Sequence, residues 1–148
     1  MPRYELQPTA RLMLMAFRRF EDYLSEQLHA RGFTNVKPSH FNILRHLNPE
    51  GMRQVDLARD AGITKQAVGK MVGELIEEGF ISIEDDVTDR RAKKVVYTET
   101  GLDLVRQSVQ IVKALEIKFS EILGIESYAN LRTGLVQIME YFSEEDEE

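Results

Sequence analysis

Two groups of residues in this 148-residue chain have the types and spacing to meet a polyanion. The first is Asp86-Val-Thr-Asp-Arg-Arg-Ala-Lys-Lys-Val-Val-Tyr-Thr98. It places Arg90, Arg91, Lys93 and Lys94 together in a chain whose formal net charge is -6. The second is Lys65, Gln66, Gly69, Lys70 and Gly73, spaced so that a helix would carry all five on one face. Lysine and arginine neutralise phosphate. The Gln66 amide matches an adenine edge, Lys65 and Lys70 reach guanine or phosphate, and two glycines remove bulk where a groove wall would approach. A blander reading fits the same residues, since basic turns and the polar faces of surface helices are mostly solvated. Glycine in a helix costs ~1 kcal/mol relative to alanine, so two of them on one outer face favour the contact reading. The choice depends on the elements around these residues.

Charge is unevenly distributed. Residues 37–94 hold ten Lys/Arg and ten Asp/Glu, whereas residues 95–148 hold four against eleven, five of them in Glu144-Glu-Asp-Glu-Glu148. The acidity is C-terminal, so a pI near 5.2 is compatible with an anion site in the neutral middle, with weak non-specific attraction to DNA. An apolar fraction of 43% supports a packed core. The longest apolar run, Leu12–Phe17, is six residues, far below the ~18 a membrane span needs. The N-terminus MPRYELQPTAR lacks a signal-peptide core. With no cysteine there is neither a disulfide framework nor a thiolate metal site. The expected location is cytoplasmic.

Met13, Phe17, Phe20, Leu24 and Leu28 form a helical stripe, with Thr9 as the expected cap and Gly32 as the stop. Pro38 suits a first helical position, and the helix it opens contains Phe41, Leu44 and Leu47 before the turn Asn48-Pro-Glu-Gly51. A short helix with Val55, Leu57 and Ala58 stops at Ala61-Gly62. Thr64 then caps a longer helix whose expected core positions are Val68, Met71, Val72, Leu75 and Ile76. Phe80–Ile83 and Val95–Thr98 are β-prone and enclose the basic stretch. Two more helical stripes follow: Leu102, Val105, Val109, Val112, Leu115, Phe119 and Ile122, then, after Gly124, Tyr128, Leu131, Leu135, Ile138 and Phe142. Helix, tight turn, helix and two-stranded hairpin is the winged helix-turn-helix order. In that motif the first residues of the second helix face base edges in the major groove.

The segment Asp89-Arg-Arg-Ala-Lys-Lys-Val-Val-Tyr-Thr98 with Gly101 resembles the wing signature of MarR-type transcriptional regulators, Asp-x-Arg-x-x-x-Val/Leu-x-Leu-Thr-x-x-Gly. QVDLARDAGITKQAVGKMVGELIEEGFI, from Gln54 to Ile81, resembles their helix-turn-helix, and the similarity extends over nearly the whole chain. The resemblance implies a mainly α fold with a small β-hairpin wing, its winged helix-turn-helix core flanked by N- and C-terminal dimerisation helices. It implies a dimerisation arm at 1–36, a DNA-binding lobe at 37–98, and dimerisation helices with an acidic tail at 99–148. It further implies DNA contact by Thr64, Lys65, Gln66, Gly69, Lys70, Asp89, Arg90, Arg91 and Lys93, with Arg91 in the minor groove and Asp89 orienting it. A narrow minor groove concentrates negative potential and favours arginine. The chain departs from the pattern at Val87, where proline is frequent, and in Ile81-Ser-Ile-Glu-Asp-Asp86, where arginine is frequent. Glu84, Asp85 and Asp86 are expected to repel phosphate beside the wing.

The resemblance also implies a homodimer on an inverted-repeat operator, and a small aromatic or phenolic effector that weakens DNA binding from a pocket near Phe17, Phe20, His40, Phe41, Leu44 and Tyr97. Each of these six fits plain core better than a ligand wall. No cofactor or metal is expected: His40 and His46 are six residues apart, off the i, i+4 spacing of a shared ion, and His29 stands alone. No nucleophile–base pair or phosphate loop is present, so no enzymatic activity is expected. Function is thus read as sequence-specific binding of double-stranded DNA by a transcriptional regulator, a repressor relieved by its ligand. The alternative is a winged-helix dimer serving as a protein-interaction module with little DNA binding.

Overall fold

The computed structural model describes residues 2–145; the last three positions of the acidic run 144–148 lie outside the described residues. Its elements are α1 (Pro2–Glu5), α2 (Thr9–Ala30), α3 (Pro38–His46), β1 (Met52–Arg53), α4 (Gln54–Ala61), α5 (Lys65–Glu77), β2 (Ile81–Asp85), β3 (Lys93–Tyr97), α6 (Glu99–Leu123) and α7 (Ile125–Glu145). They form two compact units divided after Val109. The fold is mainly helical with a small antiparallel wing.

The core of the first unit is built where the helical periods converge. Leu28 of α2, Ile43 of α3, Leu57 of α4, Val68 and Leu75 of α5 and Leu104 of α6 are all fully buried. The sheet has the order β1-β3-β2. Ile81 pairs with Tyr97 and Ile83 with Val95 across the hairpin, while Met52 pairs with Val95 on the other edge of β3. Sequence periodicity missed β1, because a two-residue strand has no period and exists only through its pairing. The expected two-stranded hairpin is therefore one part of a three-stranded sheet.

Other boundaries moved. Thr9 is the first residue of α2 and Pro8 occupies the cap position. In α5, Ile76 is 38% exposed, and in α4 Val55 is 51% exposed, so the buried stripes are narrower than the apolar ones. The α2 stripe is buried only in its second half: Leu24 and Leu28 are covered, whereas Phe17 is 45% exposed. In α6 the buried positions are Gly101, Leu104 and Ile111, one face away from the apolar stripe running through Leu102, Val109, Phe119 and Ile122. The cause lies at Gly101. A Cβ there would stand 1.8 Å from the Phe80 carbonyl oxygen, so only glycine permits that approach. The helix is seated by this contact and by Thr98, whose Oγ1 accepts from the Gly101 N–H at 3.0 Å while donating to the Gly79 carbonyl at 2.5 Å.

Candidate nucleic-acid interface

The turn between α4 and α5 fixes the first half of the candidate interface. Gly62 adopts the left-handed conformation at φ 66°, which a residue with a side chain rarely takes. Its N–H reaches the Arg59 carbonyl, and that of Ile63 reaches Ala58. Thr64 Oγ1 then accepts from the Ala67 N–H at 3.1 Å, capping α5. With Val68, Val72 and Leu75 turned inward, Lys65, Gln66 and Lys70 stand exposed on the opposite side. Gly73 faces open space, and a Cβ at Gly69 would meet only the Gln54 side chain, at 3.5 Å. Internal packing therefore requires neither glycine.

Toward its C-terminal end α5 carries three acids, Glu74, Glu77 and, at the cap, Glu78. Glu74 turns toward α3, where the His40 Nε2 donates to its Oε2 at 2.6 Å. Because the Lys37 N–H donates to His40 Nδ1, the proton on this ring sits on Nε2. The bond from His40, followed by the charges of Lys37 and Lys70, holds the Glu74 carboxyl below its ordinary range. Glu78 accepts from Asn35 at 2.8 Å. Both carboxylates, with Glu77, line a cleft of about 440 Å³ that also includes Ser25, His29 and His40.

The second half of the candidate interface is the loop joining β2 to β3, the wing. Asp86 N–H to Ala92 carbonyl and Ala92 N–H to Asp89 carbonyl close it. Asp89 Oδ1 accepts the Arg91 main-chain N–H at 3.0 Å, so the aspartate acts on the backbone of the tip. Arg90 and Arg91 are exposed. Among the described residues neither arginine takes part in an ion pair, and nor do Lys65 and Lys70.

The expected acidic barrier beside the wing has a different character. Asp85 stands across from Lys93 and Glu84 across from Lys94. Asp85 and Lys93 form an ion pair, so Lys93, expected on the nucleic acid, is engaged within the hairpin. Asp86 is only 8% exposed. Its Oδ1 accepts from the Thr88 N–H and Oγ1 at 3.0 and 2.7 Å, and its Oδ2 from Arg53 Nε at 3.0 Å. These bonds, Thr88 first and Arg53 after, hold its carboxyl down at about 2. Thr88 and Arg53 escaped the sequence reading. Arg53 has no local signal, because its partner lies 33 residues away.

The residues expected around an effector are distributed. Phe17 and Phe20 stack with centroids 6.1 Å apart, and the Arg45 guanidinium lies 5.3 Å over Phe17. Phe41 is buried, and the Tyr97 hydroxyl donates to the Leu44 carbonyl at 2.8 Å. Burial raises the Tyr97 hydroxyl to about 12. Only His40 of the six lines the cleft against α5. His46 Nδ1 donates to the Asn42 carbonyl at 2.8 Å, and His29 Nε2 lies 3.3 Å from the Val36 carbonyl. Among the described residues no group of three His, Asp or Glu side chains is placed to hold a metal, and no helix is long and apolar enough to cross a membrane.

Residues 34–92 match the family model described as MarR family. Three solved structures share the architecture. Transcriptional regulator Tm0710 from Thermotoga maritima is 21% identical, with 96% of this chain and 99% of that chain covered and a TM-score of 0.64. A MarR transcriptional regulator from Methanosarcina mazei Go1 is 22% identical, with coverage of 91% and 96% and a TM-score of 0.73. A mutant MarR from E. coli complexed with operator DNA is 21% identical, with coverage of 90% and 95% and a TM-score of 0.71. The segment matched by the family model begins before α3 and ends within the wing, and the likeness of fold extends to the helices on either side: the chain has the winged helix-turn-helix fold of the MarR family.

Proposed function

We propose that this protein is a cytoplasmic, homodimeric transcriptional regulator that binds a short inverted repeat in double-stranded DNA. The observation that carries this reading is the set of exposed, unpaired cations at two places on one frame: Lys65 and Lys70 at the start of α5, and Arg90 and Arg91 on the wing. In the proposed complex Lys65, Gln66 and Lys70 enter the major groove, Gly69 admits its wall, and Arg91 enters the flanking minor groove. Thr64 and Asp89 shape the two contact segments. Residues 37–98 read DNA, while 1–36 and 99–148 pair two chains. Support for pairing comes from the apolar side chains exposed in the single chain, among them Ile117, Ile122 and Leu131, since a patch of that kind marks an interface. The operator complex of the E. coli mutant MarR supports the same use of the fold here. In an electrophoretic assay the protein shifts the DNA upstream of its own gene and leaves a shuffled sequence of equal length unshifted. Equal binding to both, or to neither, contradicts the reading.

The regulation proposed is repression relieved by a small aromatic or phenolic molecule held near Phe17, Phe20, His40, Phe41, Leu44 and Tyr97. The stacked rings under Arg45 and the link from His40 to Glu74 on α5 support it. Such a ligand acts only through preference for the conformation that does not bind DNA. Ligands that raise the melting temperature in a screen of aromatic acids and phenols should therefore weaken operator binding; stabilisation with unchanged DNA affinity contradicts this regulation.

A further inference from the structure

The wing is a closed loop with almost no core of its own: Val87 at its start is 93% exposed, and Thr88 to Arg91 are all exposed. Its backbone bonds, from Asp86 to Ala92 and from Ala92 to Asp89, are internal to the loop, so they shape it without fixing its direction. Among the described residues, one side chain from outside the hairpin forms ion pairs with its acids Asp86 and Asp89. Arg53 Nε donates to Asp86 Oδ2 at 3.0 Å, and its Nη2 lies 4.0 Å from Asp89 Oδ2. Arg53 belongs to β1, which pairs with β3 at Lys94 and runs straight into α4, the helix packed on α5.

We propose that Arg53 is the positioning residue of the wing, tying Asp86 and Asp89 to the α4–α5 frame so that Arg90 and Arg91 are presented at a fixed offset from Lys65 and Lys70. This rests on the DNA-binding reading for its consequence, though not for its geometry. The chemistry suits arginine in particular. Its planar fork addresses two carboxylates at once, whereas lysine is a point charge that satisfies one. Asp86 is nearly buried, and a buried carboxylate must be compensated. Arg53 meets that need while directing the loop. Its charge is therefore spent on the wing and not on phosphate.

A double-mutant cycle on the full-length protein tests this with Arg53→Gln, Asp86→Asn and the pair combined, plus Arg53→Lys. In the free protein, amide hydrogen exchange at 86–92 speeds up in Arg53→Gln, while exchange in α5 is unchanged. On operator DNA, Arg53→Gln loses hydroxyl-radical protection in the flanking minor groove and about tenfold in affinity, keeps guanine N7 protection under α5, and is partly rescued by Arg53→Lys. The double variant is no worse than either single. Unchanged exchange in Arg53→Gln overturns the proposal. So does a cost of Arg53→Gln that adds in full to that of Asp86→Asn, because Arg53 would then touch the DNA directly. If the wild type binds no DNA, the functional reading falls, and the exchange measurement still decides the role of Arg53.

Discussion

Asp86 illustrates how one carboxylate changes meaning once its neighbours are known. By sequence it is a third acid in a row, opposing phosphate. In the fold it is nearly buried and accepts from Thr88 and Arg53. Nothing within a few residues announces Arg53, so this contact was not legible in advance. Its pH consequence follows from linkage. A carboxyl lowered from 3.8 to about 2 favours the folded state fully above pH 3.8, and that contribution is lost as pH falls toward 2. Asp86→Asn should therefore flatten the acid limb of urea midpoint against pH, whereas an unchanged limb would refute the assignment. Gly101 was visible as part of a signature, but its reason was not. A Cβ 1.8 Å from the Phe80 carbonyl forces helix or strand to shift, so Gly101→Ala should destabilise by about 2–3 kcal/mol, read as a lower urea midpoint.

Helix α5 was the most legible element, since its threonine cap, inward period and closing glycine all belong to the helix or to the residues flanking it. Its acids were legible as residues and not as directions: Glu74 bends back to His40 because α3 supplies a ring there. Ile76 was read too far inward, because an apolar period says which face can be buried and not how much cover exists. The two glycines allow a test at this scale. A methyl at Gly73 meets nothing, so Gly73→Ala should stabilise the fold by about 1 kcal/mol. On a solvated helix that is the whole effect. On a helix that enters a groove, affinity for the operator falls as stability rises, and the two measured together separate the cases.

Across the whole chain, the stripes of α2, α6 and α7 were legible as helices, yet their apolar faces exceed what this chain covers. Ile117 is 63% exposed, Ile122 71% and Met139 69%. In the proposed dimer a second copy covers that surface. Sedimentation should give a dimer at micromolar concentration, and Ile122→Asp should shift it toward monomer and weaken operator binding. A monomeric wild type would contradict the pairing. Four cations per chain, Lys65, Lys70, Arg90 and Arg91, are proposed to meet phosphate or base edges. Each phosphate neutralised contributes about -0.9 to the slope of log affinity against log salt. The most direct measurement is a salt series of the wild type and Arg91→Ala on the inverted repeat upstream of the gene. A linear fall is expected for the wild type, and for Arg91→Ala a weaker affinity with a slope shallower by about 2, one contact from each subunit. Salt-independent binding, or no sequence-selective binding even at low salt, would contradict it.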